Sequence, residues 1–147
     1  MASEGAVVKA LLLTDVVGST ELAERIGDRA MADVWIAHDR AARDLLPLFG
    51  GREIDKTDGM LLLFDDAAQA TGYAIEYHRR LAALPVPLRA RAGLHVGPVL
   101  LRENSPEDIA RGAKPLELDG LAKPIAARTM SLAQGGQTLM TAEAQAA

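Results

Sequence analysis

The nine-residue run Ala6–Thr14 constrains this chain more than any other segment. It is rich in Val and Leu, carries a single charge at Lys9, and stops at Asp15. That length and composition suit a buried central strand. The next residues, Val16-Val17-Gly18-Ser19-Thr20, read as a turn into a helix. Ser19 or Thr20 can cap it, and Glu21 and Glu24 lie early, where the helix dipole favours negative charge.

Apolar residues then recur at Leu22, Ile26, Ala30, Val34, Ala37, Ala41, Leu45 and Leu48, which predicts one long amphipathic helix. Pro47 should kink or end its last turn, and Phe49-Gly50-Gly51 should close it. Arg52–Thr57 and Met60–Phe64 read as two strands joined at Asp58-Gly59, a strong hairpin signal. Ala67–Leu84 is a second helix, ended by Pro85 and Pro87, and Leu88–Arg102 is a long strand with Ala90, Ala92, Leu94 and Val96 on one side. The polar stretch Arg102–Leu118, with Pro106 and Pro115, reads as a flap or loop. A helix over Lys123–Gln134, a stop at Gly135-Gly136 and a strand over Gln137–Thr141 complete the order. The class is α+β: a ferredoxin-like βαββαβ core with an added C-terminal α-β unit.

Composition narrows the function classes. At 147 residues the chain is one domain, and 49% hydrophobic with 24% charged residues is a globular balance. A net charge of −4 offers no basic surface for a nucleic acid backbone. The absence of cysteine excludes disulfides, a thiolate zinc site and a cysteine nucleophile. The apolar runs are too short for a membrane span or a signal peptide, so the cytoplasm is the expected location.

Two carboxylates stand out. Asp15 closes the central strand, where it either caps the next helix or holds a cation; Asp58 lies in the hairpin turn, where Asp-Gly is favoured for backbone reasons alone. In a βαββ unit the opening strand and the hairpin can lie side by side, so both carboxylates could reach one spot, as a hard divalent cation requires. The backbone N–H groups of the Gly18-Ser19-Thr20 turn suit a polyphosphate.

Four blocks, taken together, resemble the class III adenylate/guanylate cyclase catalytic domain. They are Leu13-Thr14-Asp15-Val16-Val17-Gly18-Ser19-Thr20, Asp58-Gly59-Met60-Leu61-Leu62-Leu63-Phe64, Arg91-Ala92-Gly93-Leu94-His95-Val96-Gly97 and Ala126-Ala127-Arg128. The resemblance spans roughly residues 8–145, in the family's order and near its spacing. It implies conversion of a nucleoside triphosphate, ATP being the first candidate, to a 3′,5′-cyclic nucleotide and pyrophosphate for signalling. Asp15 and Asp58 match the metal-binding aspartates, for two Mg²⁺ or Mn²⁺ ions. The backbone of Val16, Val17, Gly18, Ser19 and Thr20 would cover the triphosphate, and Arg128 matches the arginine that stabilises the transition state. The resemblance also implies a head-to-tail homodimer with shared sites, with Asp15 and Asp58 from one subunit and Arg128 from the other.

The chain departs from that pattern at defined places. The base-reading position four residues before Asp58 is Ile54; Lys56 lies two residues further along the same strand face, displaced by about 7 Å. The second base-reading position is Glu117, eleven residues before Arg128, behind a flap that looks longer than usual. The transition-state asparagine is replaced by Pro124, which offers no hydrogen-bond donor. The family's late hairpin is missing, so a domain truncated at its C-terminal end and a larger parent with a fused regulatory module are expected. The alternative is a degenerate cyclase-like domain that binds nucleotide or dimerises as a regulator. His38, His78 and His95 are expected to be structural, Trp35, Tyr73 and Tyr77 to serve core or dimer contacts, and Arg79-Arg80 to be a solvated helix end.

Overall fold

The structure is a computed structural model that describes residues 5–147. Its central strand is β1 (Val7–Val16), flanked on one side by the hairpin β2 (Arg52–Lys56) and β3 (Met60–Phe64) and on the other by the long β4 (Ala90–Glu103). The order β2-β3-β1-β4 is that of the expected ferredoxin-like core, with all three pairings antiparallel. Two additions lie on β4. A short β5 (Leu116–Asp119) pairs antiparallel with its far end, and β6 (Thr138–Met140) pairs parallel with Ala92–Leu94.

Alternation along β1 divides the core. Ala10, Leu12 and Val16 face α2 (Asp28–Phe49) and α3 (Ala67–Ala82), where Leu45, Tyr73, Tyr77 and Leu81 complete the larger cluster. Leu11 and Leu13 face the opposite layer, built with Ile54, Leu61, Val99, Leu118 and α5 (Ala122–Ser131). Each face is apolar, so neither could be left to water.

Three elements differ from the sequence reading. The long helix is two helices, α1 (Ser19–Ile26) and α2, because Gly27 adopts φ 87° and ψ 164° between them. Its N–H donates to the Ala23 carbonyl and its own carbonyl accepts from Met31, ending one helix and starting the next. The 3.6-residue periodicity continues across the break and hides it. Pro47 does not end α2, which runs on to Phe49; in the last turn a proline removes a single bond. The stretch read as a flap contains α4 (Pro106–Ala110), whose Ser105 hydroxyl caps the Asp108 N–H at 3.1 Å, followed by β5. Pro106 there is a helix-starting residue rather than a loop marker. Thr141 likewise caps a final helix α6 (Ala142–Ala146).

The histidines are structural. His38 is buried between Asp39 and the Tyr77 hydroxyl, His95 bonds the Thr141 hydroxyl at 2.8 Å, and His78 bonds that of Thr138 at 2.8 Å. Burial pushes all three below the ordinary histidine range, while Asp39 opposes the shift at His38 and Glu143 does so at His95. The unfolded chain therefore binds more protons in weak acid. This contribution to stability is complete above the unfolded-state value of about 6.5 and is lost as pH falls through the lowered folded-state values. Calorimetry should show a melting temperature that drops between pH 7 and pH 5; an unchanged value would contradict the assignment. No described helix is long and apolar enough to cross a membrane.

Candidate active site

Asp15 sits near the end of β1 on the α5 side of the sheet, about a third exposed. The hairpin turn packs directly against it. Gly59 is buried so closely under β1 that a Cβ there would lie 1.8 Å from the Thr14 carbonyl oxygen and 2.9 Å from the Asp15 Cα. The Val16 N–H donates to the Asp58 carbonyl at 3.4 Å, and the Met60 N–H to the Thr14 hydroxyl at 3.0 Å. The backbones of Asp15 and Asp58 are thus neighbours across the sheet. Asp58 itself is exposed at the turn and is not among the residues that line the cleft beside Asp15.

That cleft, of about 190 Å³, is bounded by Asp15 from β1, by Asp55 and Lys56 from β2, by Thr57 and Gly59 from the hairpin turn and by Lys123 and Met130 from α5. Arg91 stands opposite Asp15 on β4, and its Nε and a terminal nitrogen donate to the same carboxylate oxygen, Oδ2, at 3.2 and 3.0 Å. A further nitrogen reaches the Ser131 carbonyl at the end of α5, at 3.4 Å. The ion pair leaves Oδ1 of Asp15 without a protein partner among the described residues. The donor set is hard oxygen, and no three His, Asp or Glu side chains converge among the described residues. Mg²⁺ suits such a site, since it is commonly held by one or two carboxylates and takes its other ligands from water and substrate phosphates.

Local backbone detail decides the other candidates. A bulge between Glu53 and Asp55 breaks the register of β2 against β3. Ile54 is consequently buried with Leu61 and Leu116, and Asp55 follows it toward the cleft. Lys56 lines the cleft, but its ammonium turns to the helical face, contrary to the same-face expectation. Its ammonium lies 3.4 Å from Asp39 and over the Trp35 ring at 5.4 Å. Glu117 on β5 is held by Lys114 at 3.0 Å and accepts from Asn104 at 3.3 Å. Lys114 and then Asn104 keep its carboxyl below the usual range. Lys114 also reaches Asp55 at 3.3 Å, so one ammonium bridges β2 and β5.

At the mouth of α1, Gly18 takes the left-handed conformation with φ 71°. Val16 and Val17 donate their N–H groups internally, to Asp58 and Arg89. The amides that open toward solvent are those of the first turn of α1, which begins at Ser19 and Thr20.

No family model and no curated protein matches the sequence. Solved structures do match. An adenylate cyclase from Trypanosoma brucei in its monomeric state superposes with a TM-score of 0.83 at 23% identity, over 95% of this chain and 74% of that one. The guanylate cyclase domain of RhGC from Catenaria anguillulae, in complex with GTP, gives 0.84 at 14% identity, over 95% and 80%. The adenylyl cyclase CyaB from P. aeruginosa gives 0.80 at 19%, over 96% and 81%. This chain has the class III nucleotidyl cyclase fold.

Within that cyclase fold Arg128 does not face the Asp15 cleft of its own chain. It is exposed on the outer side of α5, beside Leu121, Pro124, Ile125 and Leu132. Leu121 and Leu132 are 78% and 73% exposed, an unusual load of apolar surface for one short helix. Sequence reasoning passed over Arg91, Asp55, Lys114 and Lys123. For Arg91 a signal existed: Ala90, Ala92 and Leu94 turn to one side of β4, which puts Arg91 on the other, with Asp15.

Proposed function

We propose that this protein is a nucleotidyl cyclase whose active site is completed by a second copy of the chain. The carrying observation is the separation of parts on one protomer. The carboxylate cleft holds about 190 Å³, below the ~300–1,000 Å³ usual for a small-molecule site, while Arg128 stands elsewhere on an exposed apolar helix face. Docking that face against a partner would bury Leu121 and Leu132 and bring the guanidinium to a neighbouring cleft.

In this reading a nucleoside triphosphate lies with its phosphates over the first turn of α1, whose free N–H groups and positive dipole end favour anions. Asp15, braced through Oδ2 by Arg91, and Asp58 would hold Mg²⁺ or Mn²⁺. When bound, the ions lower the pKa of the ribose 3′-hydroxyl and offset phosphate charge. The bond from O3′ to the α-phosphorus forms, the bond to the bridging oxygen of pyrophosphate breaks, and the hydroxyl proton passes to solvent. Arg128 of the partner subunit donates to the phosphate oxygens on which charge accumulates. Glu117 would accept from an exocyclic amine of the base, and ATP is the first candidate. GTP bound to the Catenaria domain supports a triphosphate in this fold.

The buried Ile54 and the donor-free Pro124 favour a second reading, a domain that binds nucleotide without turnover. Incubation with ATP, GTP, CTP or UTP and either Mg²⁺ or Mn²⁺ separates the two. Cyclic nucleotide and pyrophosphate formed in equal amounts support the cyclase. Tight binding with no product in either metal overturns it in favour of the second reading.

A further inference from the structure

Directly behind the Asp15 cleft, on the helical face of the sheet, lie two hydrogen-bonded groups of polar side chains. Thr14 and His38 are among the few buried polar residues of the described chain, residues 5–147, and Tyr77 is fully buried. The Met60 N–H donates to the Thr14 hydroxyl at 3.0 Å. The Tyr77 hydroxyl lies 2.7 Å from His38 Nε2, His38 Nδ1 is 2.9 Å from Asp39 Oδ1, and the Lys56 ammonium is 3.4 Å from Asp39 Oδ2.

The direction of each bond is set by its end. The Asp39 carboxylate only accepts, so Nδ1 of neutral His38 carries the proton and Nε2 accepts from Tyr77. Tyr77, His38 and Asp39 thus form one series that holds Lys56, and Thr14 separately holds Met60. Met60 and Lys56 are the two stems of the hairpin that carries Asp58, and Thr14 is the residue before Asp15.

We propose that Thr14, Tyr77, His38 and Asp39 are positioning residues that hold the two stems of the Asp58–Gly59 turn, Thr14 at Met60 from β1 and Asp39, oriented by His38 and Tyr77, at Lys56 from α2. The proposal rests on the cyclase reading only for its catalytic consequence. A core that needed stability alone could place apolar groups here; buried polar groups that are all satisfied specify a geometry. Trp35 and Tyr73 pack edge-on and face-on against His38 and Tyr77, which limits alternative rotamers.

Tyr77→Phe removes one oxygen and keeps the ring, and Asp39→Asn alters the partly exposed end of the series. In hydrogen–deuterium exchange on the full chain, each should speed exchange of the amides at 57–60 by about tenfold, with those of β4 unchanged. Turnover should require roughly three- to tenfold more Mn²⁺ for half-maximal rate at an unaltered nucleotide KM. Exchange that is unchanged at 57–60, or raised evenly across the chain in both variants, overturns the proposal. Should Tyr77→Phe fail to fold, Asp39→Asn decides. A wild-type chain without turnover defeats the cyclase reading and leaves the exchange result to judge the clamp.

Discussion

Asp15→Asn is expected to lower cyclic-nucleotide formation by at least ~10²–10³-fold, the loss typical of removing one preorganised electrostatic group from a transition state. The amide keeps the shape of the carboxylate and loses its charge, so cation affinity falls while the strand remains. The structural cost should be small. Arg91 and Asp15 are each about a third exposed, and a pair so placed contributes no more than about 1 kcal/mol. A variant that melts within a few degrees of wild type yet makes no product would assign Asp15 to chemistry. Undiminished turnover would remove it from the site.

Gly59→Ala carries the largest expected effect on folding. A methyl group there would meet the Thr14 carbonyl carbon and oxygen and the Asp15 Cα, all within 3 Å and all backbone. No side chain can swing aside, so the hairpin must lift from β1 or the strand must shift. Overpacking of a rigid site costs about 3 kcal/mol or more. The same movement parts Asp58 from Asp15, so activity should vanish together with several degrees of stability. Denaturant unfolding checks the first and product formation the second; a variant with wild-type midpoint would mean that the turn does not rest on β1.

Both substitutions fall on segments that are readable in the sequence. The apolar run of β1 and the Asp-Gly turn, two local signals, are enough to set the sheet order, because a buried strand beside a tight hairpin has few neighbours to choose from. Asp15, Asp58 and Arg128 are candidates through the blocks that resemble a family. What sequence does not display is parity. One extra residue at the Glu53–Asp55 bulge turns Asp55 to the cleft and the Lys56 ammonium to the helices, and no alternation of residue types marks it. Gly27 is hidden for a similar reason, since the apolar spacing Leu22, Ile26, Ala30, Val34 runs through it in the sequence, although α1 buries none of its residues. Lys114 illustrates a third case: its partners Asp55 and Glu117 come together only because the far end of β4 carries β5 back over the edge of β2.

The claim that the site is shared between two copies can be tested by mixing. Asp15→Asn and Arg128→Ala, each inactive alone, should form mixed dimers with one intact site in two. Equal amounts would then recover about a quarter of wild-type activity, the statistical yield of a symmetric pair. Activity that stays at the level of the separate variants, under conditions where subunits are seen to exchange, would contradict the account.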